Sequence, residues 1–301
     1  MIDKLEFFIA LAREQHFGRA AEACGVTQPT LSAGLKQLEE QLGVLLVNRG
    51  ARYLGLTPEG ERVLDWARRI VGDARAMKQE VRALRHGLSG HLRIAVIPTA
   101  LAMVPALTTP YREKHPSVRF TVQSRTSVEI LHLLEGLEID AGITYLDNEP
   151  LGRVRTVPLY REQYRLLISR DSPLGGRERV TWAEVGEIPL CLLTPNMQNR
   201  RIIDRLLSIA GAVSAPMLES DSMIVLFAHV RTGQWASIMP EVLTGALGFP
   251  DGIRAIPIVE PSAVHDIGLV VPYRDPMTPL AAALVAEARK VARTFGEPVA
   301  P

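Results

Sequence analysis

Apolar residues recur along this chain with three different rhythms. Between Phe17 and Arg49 the spacing is helical: Leu31, Leu35 and Leu38 fall on one face, and Gln28, Thr30, Ser32, Ala33 and Lys36 on the other. From Val63 the spacing alternates in threes and fours through Trp66, Ile70, Ala74, Met77, Val81, Leu84 and Leu88, which predicts a coiled-coil seam on one long helix. Gly87 and Gly90 mark a hinge. Beyond it, short apolar runs alternate with helical stretches. Strands are expected at 92–97, 118–123, 140–144, 164–168, 189–193, 236–239 and 267–271, and helices at 100–114, 127–136, 198–210, 222–232, 240–246 and 276–294. Such alternation predicts a sheet flanked by helices.

Local signals sharpen the first stretch. Ala20 and Ala21 give a small, close-packing face, Gly25 sits where a turn needs positive φ, and Val26 is the apolar plug. Thr27 is an N-cap for a helix opening with Gln28 and Pro29. Two helices around a tight turn, followed by an exposed basic loop, form the recognition arrangement of a winged helix-turn-helix. The DNA-contacting residues are then Thr27, Gln28, Pro29, Thr30, Ser32 and Lys36, with Arg49 and Arg52 on the wing. Gln28 suits an adenine edge; Lys36, Arg49 and Arg52 suit phosphates. A seam of Val63, Trp66, Ile70, Met77, Val81 and Leu84 would pair two copies, matching a two-fold DNA site. The alternative is a helix packed on its own domain. Arg62, Arg68, Arg69, Arg75, Lys78, Arg82 and Arg85 lie mostly off the seam and read as a solvated face, some of it within reach of phosphates.

Phe17, Ala20, Ala21, Gln28, Pro29, Ser32, Leu38, Glu39, Leu42, Gly43, Arg49 and the Leu56-Thr57-Pro58-Glu59-Gly60 stretch together carry a family likeness: the chain resembles the LysR-type transcriptional regulators. The resemblance implies an α-helical winged helix-turn-helix head, a long linker helix, and a two-lobed α/β regulatory domain like that of periplasmic binding proteins. Expected boundaries are 1–57 for the head, 58–90 for the linker and 91–301 for the regulatory domain, with lobe I at 91–162 and 267–301 and lobe II at 163–266. Promoter DNA, a small-molecule effector, a second copy in a dimer or tetramer, and RNA polymerase are the implied partners, and activation is a common mode. Ala33 and Gly34 depart from the basic or polar pair that the family often carries there. Glycine inside a helix costs about 1 kcal/mol against alanine. It admits a close approach either to DNA or to the first helix.

Composition narrows the function class. Net charge is only +1, so phosphate attraction must come from local clustering. No stretch approaches the ~20 apolar residues of a membrane span, and the first residues lack a signal-peptide layout, so a cytoplasmic protein is expected. The seven histidines show no ligand spacing, and no metal or cofactor is expected. Cys24 and Cys191 both sit in apolar surroundings. A peroxide sensor of this family would resemble a pair of reactive cysteines in the sensing half, and one apolar-flanked cysteine there argues against that mechanism. No G-x-S-x-G elbow, Walker loop or G-x-G-x-x-G follows the first strand, so an enzyme is not expected. A small-molecule-binding protein whose head serves protein contacts is the other class, opposed by the Gln28-Pro29 helix and the basic wing.

Ligands of open α/β sheets bind beyond the carboxyl ends of strands. Three polar turns lie there, and their candidate effector contacts are Thr99 and Ala100, Thr126 and Ser127, and Thr194, Asn196 and Gln198. Each hydroxyl also reads as a helix cap: Thr99 is placed as an N-cap, and Thr126 with Glu129 has the spacing of a capping box. Arg200 and Arg201 are adjacent on a helix and cannot both face the cleft. Asp140 reads as structural. Hydroxyls and free N–H groups favour a small anion. The strand-turn from Arg93 to Thr99 looks like that of regulators responding to cyanate; formate and an aromatic carboxylate fit as well.

Overall fold

The computed structural model describes residues 1–49, 53–147, 149–213, 215–248 and 252–296. The head contains α1 (Ile2–Glu14), α2 (Phe17–Ala23), α3 (Gln28–Leu42), β1 (Val47–Arg49) and β2 (Tyr53–Leu56). Leu5, Phe8 and Leu11 of α1, Ala20 and Ala21 of α2, and Leu31, Leu35 and Leu38 of α3 share one core. Gly25 has φ +66°, and the Thr27 hydroxyl accepts from the Thr30 N–H at 3.4 Å. The cap of α2 is a histidine: His16 Nδ1 accepts from the N–H groups of Gly18 and Arg19 at 3.1 and 3.2 Å. Strands β1 and β2 pair antiparallel as the wing. Arg49 ends β1, and Arg52 lies outside the described residues.

The Leu56–Gly60 stretch joins the wing to α4 (Pro58–His86). Thr57 Oγ1 accepts from the Gly60 N–H at 2.9 Å and donates to the Leu45 carbonyl at 2.7 Å. A Cβ on Gly60 would lie 2.1 Å from the Leu46 carbonyl oxygen, so only glycine lets the helix begin this close to the strand. Buried Glu39 accepts from the Leu46 N–H at 2.9 Å. The 29 residues of α4 span about 44 Å. Both readings of its pattern describe part of it. Leu64, Ala67 and Val71 pack into the head core, with Val63 partly buried against it. Trp66, Ile70, Met77, Val81 and Leu84 stay exposed, Trp66 at 61% and Leu84 at 82%.

The regulatory half begins with β3 (Gly90–Val96), a 3-10 turn (Pro98–Met103), α5 (Val104–Lys114), β4 (Val118–Ser124), α6 (Ser127–Glu135), β5 (Ala141–Tyr145) and β6 (Val154–Glu162). It continues through β7 (Tyr164–Ser169), β8 (Val180–Thr181), α7 (Trp182–Gly186), β9 (Cys191–Leu193), α8 (Gln198–Ile209), β10 (Leu218–Ser220), α9 (Met223–Val230), β11 (Ser237–Pro240), α10 (Glu241–Leu247) and β12 (Ile253–Val259). It closes with β13 (His265–Pro272) and α11 (Pro279–Gly296). One sheet has the order β4-β3-β5-β13-β6; a second has β11-β7-β12-β8, with β9 and β10 paired beside it. The chain passes between the sheets at Gln163 and returns between β12 and β13. Strands β6, β8, β10 and β12 go beyond the sequence expectation. β6 contains Pro158, which is tolerated because β6 is an edge strand. β8 and β10 are too short to show a period.

Helix α6 connects two regions. Its N-cap, Thr126, lies where the two sheets face each other, and its capping box with Glu129 is complete. Past its C-terminus, Leu137 takes φ +59° and packs against the head core. The Leu137 carbonyl accepts from Arg75 at 3.3 Å and Arg93 at 3.2 Å, and Glu138 pairs with Arg13 of α1 at 3.5 Å.

Candidate functional site

The exposed face of α3 carries Gln28, Pro29 and Thr30, with Thr27 ahead of it and Lys36 two turns on; Ser32 is half-buried. Lys36 meets Glu40 only at 3.8 Å and at high exposure, so it is available to an anion. Gly34 points elsewhere. It is buried, and a Cβ there would lie 2.8 Å from Phe7 Cδ2. Of the two approaches that glycine admits, this one is to α1.

Between the sheets lies a groove of about 450 Å³. Ser124, Arg125, Thr126 and Glu129 line one wall; Asn196, Met197, Asp221 and Ser222 line the other. Arg125 is the cation among these residues. The groove takes two of the seven expected effector contacts, Thr126 and Asn196. The others sit behind its walls. Thr99 and Ala100 are fully buried in the 3-10 turn, and Thr99 caps nothing: the capping position is Ile97, without a side-chain bond. The 3-10 geometry turns Thr99 inward, and its hydroxyl has no partner among the described residues. Ser127 is buried with its hydroxyl donating to Glu149 Oε2 at 3.2 Å. Gln198 is buried and donates to the Asp147 carbonyl at 3.2 Å. The Thr194 hydroxyl is enclosed without a partner among the described residues.

The arginine pair is engaged. Arg200 is buried and binds Asp204 and Glu219, each at 2.7 Å, and the Leu193 carbonyl at 2.8 Å. Arg201 binds Glu149 and the Asn196 carbonyl. Asp140 accepts from the Arg93 backbone N–H at 2.8 Å and from Arg93 Nε at 3.1 Å, a structural bond.

A buried polar cluster sits where the chain passes between the sheets, and no local sequence signal announces it. Glu162 ends β6 and is wholly buried; its Oε1 accepts from the Tyr145 hydroxyl. Asn199 Nδ2 donates to the same hydroxyl at 3.1 Å. Tyr164 opens β7 alongside, and its hydroxyl has no partner of hydrogen-bonding geometry among the described residues. His265 lies edge-on to Tyr145 and pairs with Asp147 at 2.8 Å. Burial pushes the Glu162 carboxyl up to about 7, with the bond from Tyr145 opposing.

Burial disfavours the thiolate at both cysteines. Cys191 lies in the core of β9, and burial pushes its thiol up to about 11. Cys24 is half-buried in the head, and burial raises its thiol too. Among the described residues, no cluster of His, Cys, Asp and Glu could hold a metal ion, and no helix is long and apolar enough to cross a membrane.

Comparison with known proteins agrees with this architecture. A family model described as "Bacterial regulatory helix-turn-helix protein, lysR family" matches residues 2–61, and one described as "LysR substrate binding domain" matches residues 85–293. The DNA-binding transcriptional dual regulator OxyR of Escherichia coli (strain K12) is 30% identical over 280 residues, covering 93% of this chain and 90% of that protein. A full-length OxyR variant from Pseudomonas aeruginosa superimposes with a TM-score of 0.76 at 26% identity, covering 97% of this chain and 96% of the other. CbnR, a LysR family regulator solved in complex with its target DNA, shares the fold with a TM-score of 0.60 at 22% identity, covering 97% and 99%. A winged head with an exposed polar recognition face, an α4 that leaves an apolar stripe uncovered, and two facing α/β sheets are thus parts of one known plan: this chain belongs to the LysR family of bacterial transcriptional regulators.

Proposed function

We propose that the protein binds promoter DNA as a dimer or a dimer of dimers, through Thr27, Gln28, Pro29, Thr30, Ser32 and Lys36 with Arg49 and Arg52 of the wing. A small anionic metabolite held between the lobes changes that binding. The observation that carries this reading is the pairing of an uncovered polar face on α3 with an uncovered apolar stripe on α4. Trp66, Ile70, Met77, Val81 and Leu84 are large apolar side chains that a second α4 would bury. We divide the chain accordingly: head 1–57, linker 58–90, and regulatory lobes 91–162 with 267–301, and 163–266.

The effector reading rests on the groove. Arg125 and the first N–H groups of α6 supply positive potential on one wall, where the Glu129 carboxylate is taken up by the Thr126 N–H, and Asp221 on the other limits the anion to that side. A volume of about 450 Å³ suits an aromatic carboxylate better than a cyanate- or formate-sized ion. Several relatives are named hydrogen peroxide-inducible genes activators. The buried thiol of Cys191 and the half-buried thiol of Cys24, both raised by burial, do not favour the same chemistry here, since the thiolate is the reactive form.

The test is footprinting on the DNA upstream of this gene, with and without a panel of cyanate, formate and aromatic carboxylates. A long protected region that one compound shortens supports the whole reading. Protection that no compound alters removes the effector half, and the absence of protection removes the regulator at this promoter.

A further inference from the structure

A second cavity, of about 440 Å³, lies between α4 and the sheet of lobe I and shares no lining residue with the interlobe groove. One wall is the face of α4 that bears Arg75, Lys78 and Arg82, at i, i+3 and i+7. Arg93 and Arg274 approach from the opposite side. The sequence pattern reads those α4 cations as a solvated face; they are exposed, and they also border the cavity.

The charges do not balance internally. Arg75 is engaged by Glu6 at 2.9 Å, and Arg93 by Asp140, the only carboxylate among the described lining residues. Lys78 and Arg82 have no partner among the described residues. Arg274 is largely buried; its Nη1 makes no hydrogen bond among the described residues and reaches Asp73 only at 3.6 Å. Its guanidinium lies where a side chain on Gly72 would be, since a Cβ there would sit 1.5 Å from Nη1. Cations gathered in a cleft with low-dielectric walls focus positive potential, and like charges spaced along a helix face are mutually destabilising. An anion relieves both. Ile139, Met277 and Ala281 add an apolar floor beside the cations.

We propose that this cavity is a second binding site, for a small amphipathic anion whose carboxylate or phosphate head lies among Lys78, Arg82 and Arg274 and whose apolar body lies on Ile139 and Met277. Bound there, the ligand bridges the linker helix and lobe I.

The test is calorimetric titration of the full-length protein with benzoate, and separately with inorganic phosphate, at fixed ionic strength balanced with chloride. The double variant Lys78→Gln/Arg82→Gln changes two solvent-facing side chains outside any core, and it weakens benzoate by at least about tenfold. Gly72→Ala favours the helix, displaces the Arg274 guanidinium and weakens benzoate as well. Arg125→Gln removes only benzoate held in the interlobe groove and leaves the binding that the double variant weakens unchanged. Benzoate binding that is lost in Arg125→Gln but intact in the double variant assigns the ligand to the groove and overturns the second site. Absence of saturable benzoate binding overturns it too, and phosphate binding tighter than benzoate overturns the apolar half of the assignment.

Discussion

Replacing Glu162 by glutamine isolates one buried charge at the passage between the lobes. The carboxyl is fully enclosed, and among the described residues it has no lysine or arginine partner. Burial raises its folded-state pKa to about 7 from an unfolded value of 4.5. For an acid raised in this way, the folded protein holds the proton more tightly than the unfolded chain. Its stabilising contribution is therefore fully present below pH 4.5 and is lost as pH rises through about 7. The loss amounts to about 3 kcal/mol by pH 8, at 1.36 kcal/mol per unit. Glutamine cannot ionise. It retains a carbonyl oxygen to accept from Tyr145, and its amide can donate to the neighbouring Tyr164 hydroxyl. The expected outcome is near-equal stability of the two proteins at pH 5 and a gap favouring Glu162→Gln at pH 8. For a domain of this size the gap is roughly 6–12 °C in Tm. Thermal unfolding followed by circular dichroism from pH 5 to 8, on both proteins, measures it. A gap that does not change with pH, or that favours the natural chain at pH 8, refutes the buried-charge argument.

Two further substitutions separate packing from ligand roles. Gly34→Ala gains about 1 kcal/mol of helix propensity but drives a methyl into Phe7, at a cost of about 1–3 kcal/mol. Thermal melts should show a less stable head while gel shifts show unchanged sequence preference; a head as stable as before with altered preference would return Gly34 to the DNA face. Thr99→Val removes a buried hydroxyl that has no partner among the described residues, so the ligand-free protein should gain about 1–2 kcal/mol in denaturant titration. A loss of stability in that variant would show that the hydroxyl is satisfied.

Local chemistry made the head legible. Gly25 and the caps at Thr27 and Thr57 act through neighbours three residues away or fewer, and their hydrogen bonds follow from their types, whereas the approach of Gly60 to Leu46 comes from the fold. His16 escaped because imidazole is a rare cap. The seam on α4 was visible as a period, but a period cannot say that Leu64, Ala67 and Val71 would find the head core on the other side. The polar turns after the strands were visible too, and two of the seven residues drawn from them face the groove. Whether a hydroxyl at such a turn points outward depends on the turn's geometry, and a 3-10 turn buries Thr99 where an α-helical start would have exposed it as a cap. Glu162, Tyr145, Asn199 and His265 come from four separate elements, and the cations of the second cavity come from α4, β3 and the segment after β13. Only the closed fold brings such groups together.

Helix α6 imposes a constraint on how the chain can change length. Thr126 at one end faces the groove, and Leu137 past the other is set in the head core. The nine residues of α6, with Gly136 after them, hold these ends in a fixed rotational phase. One inserted residue would turn Leu137 by about 100° and advance it by about 1.5 Å, out of its seat. Seven would restore the phase to within about 20°, but they would lengthen the helix by about 10 Å. Descendants of this chain can therefore gain or lose residues between β5 and β6 far more freely than within α6.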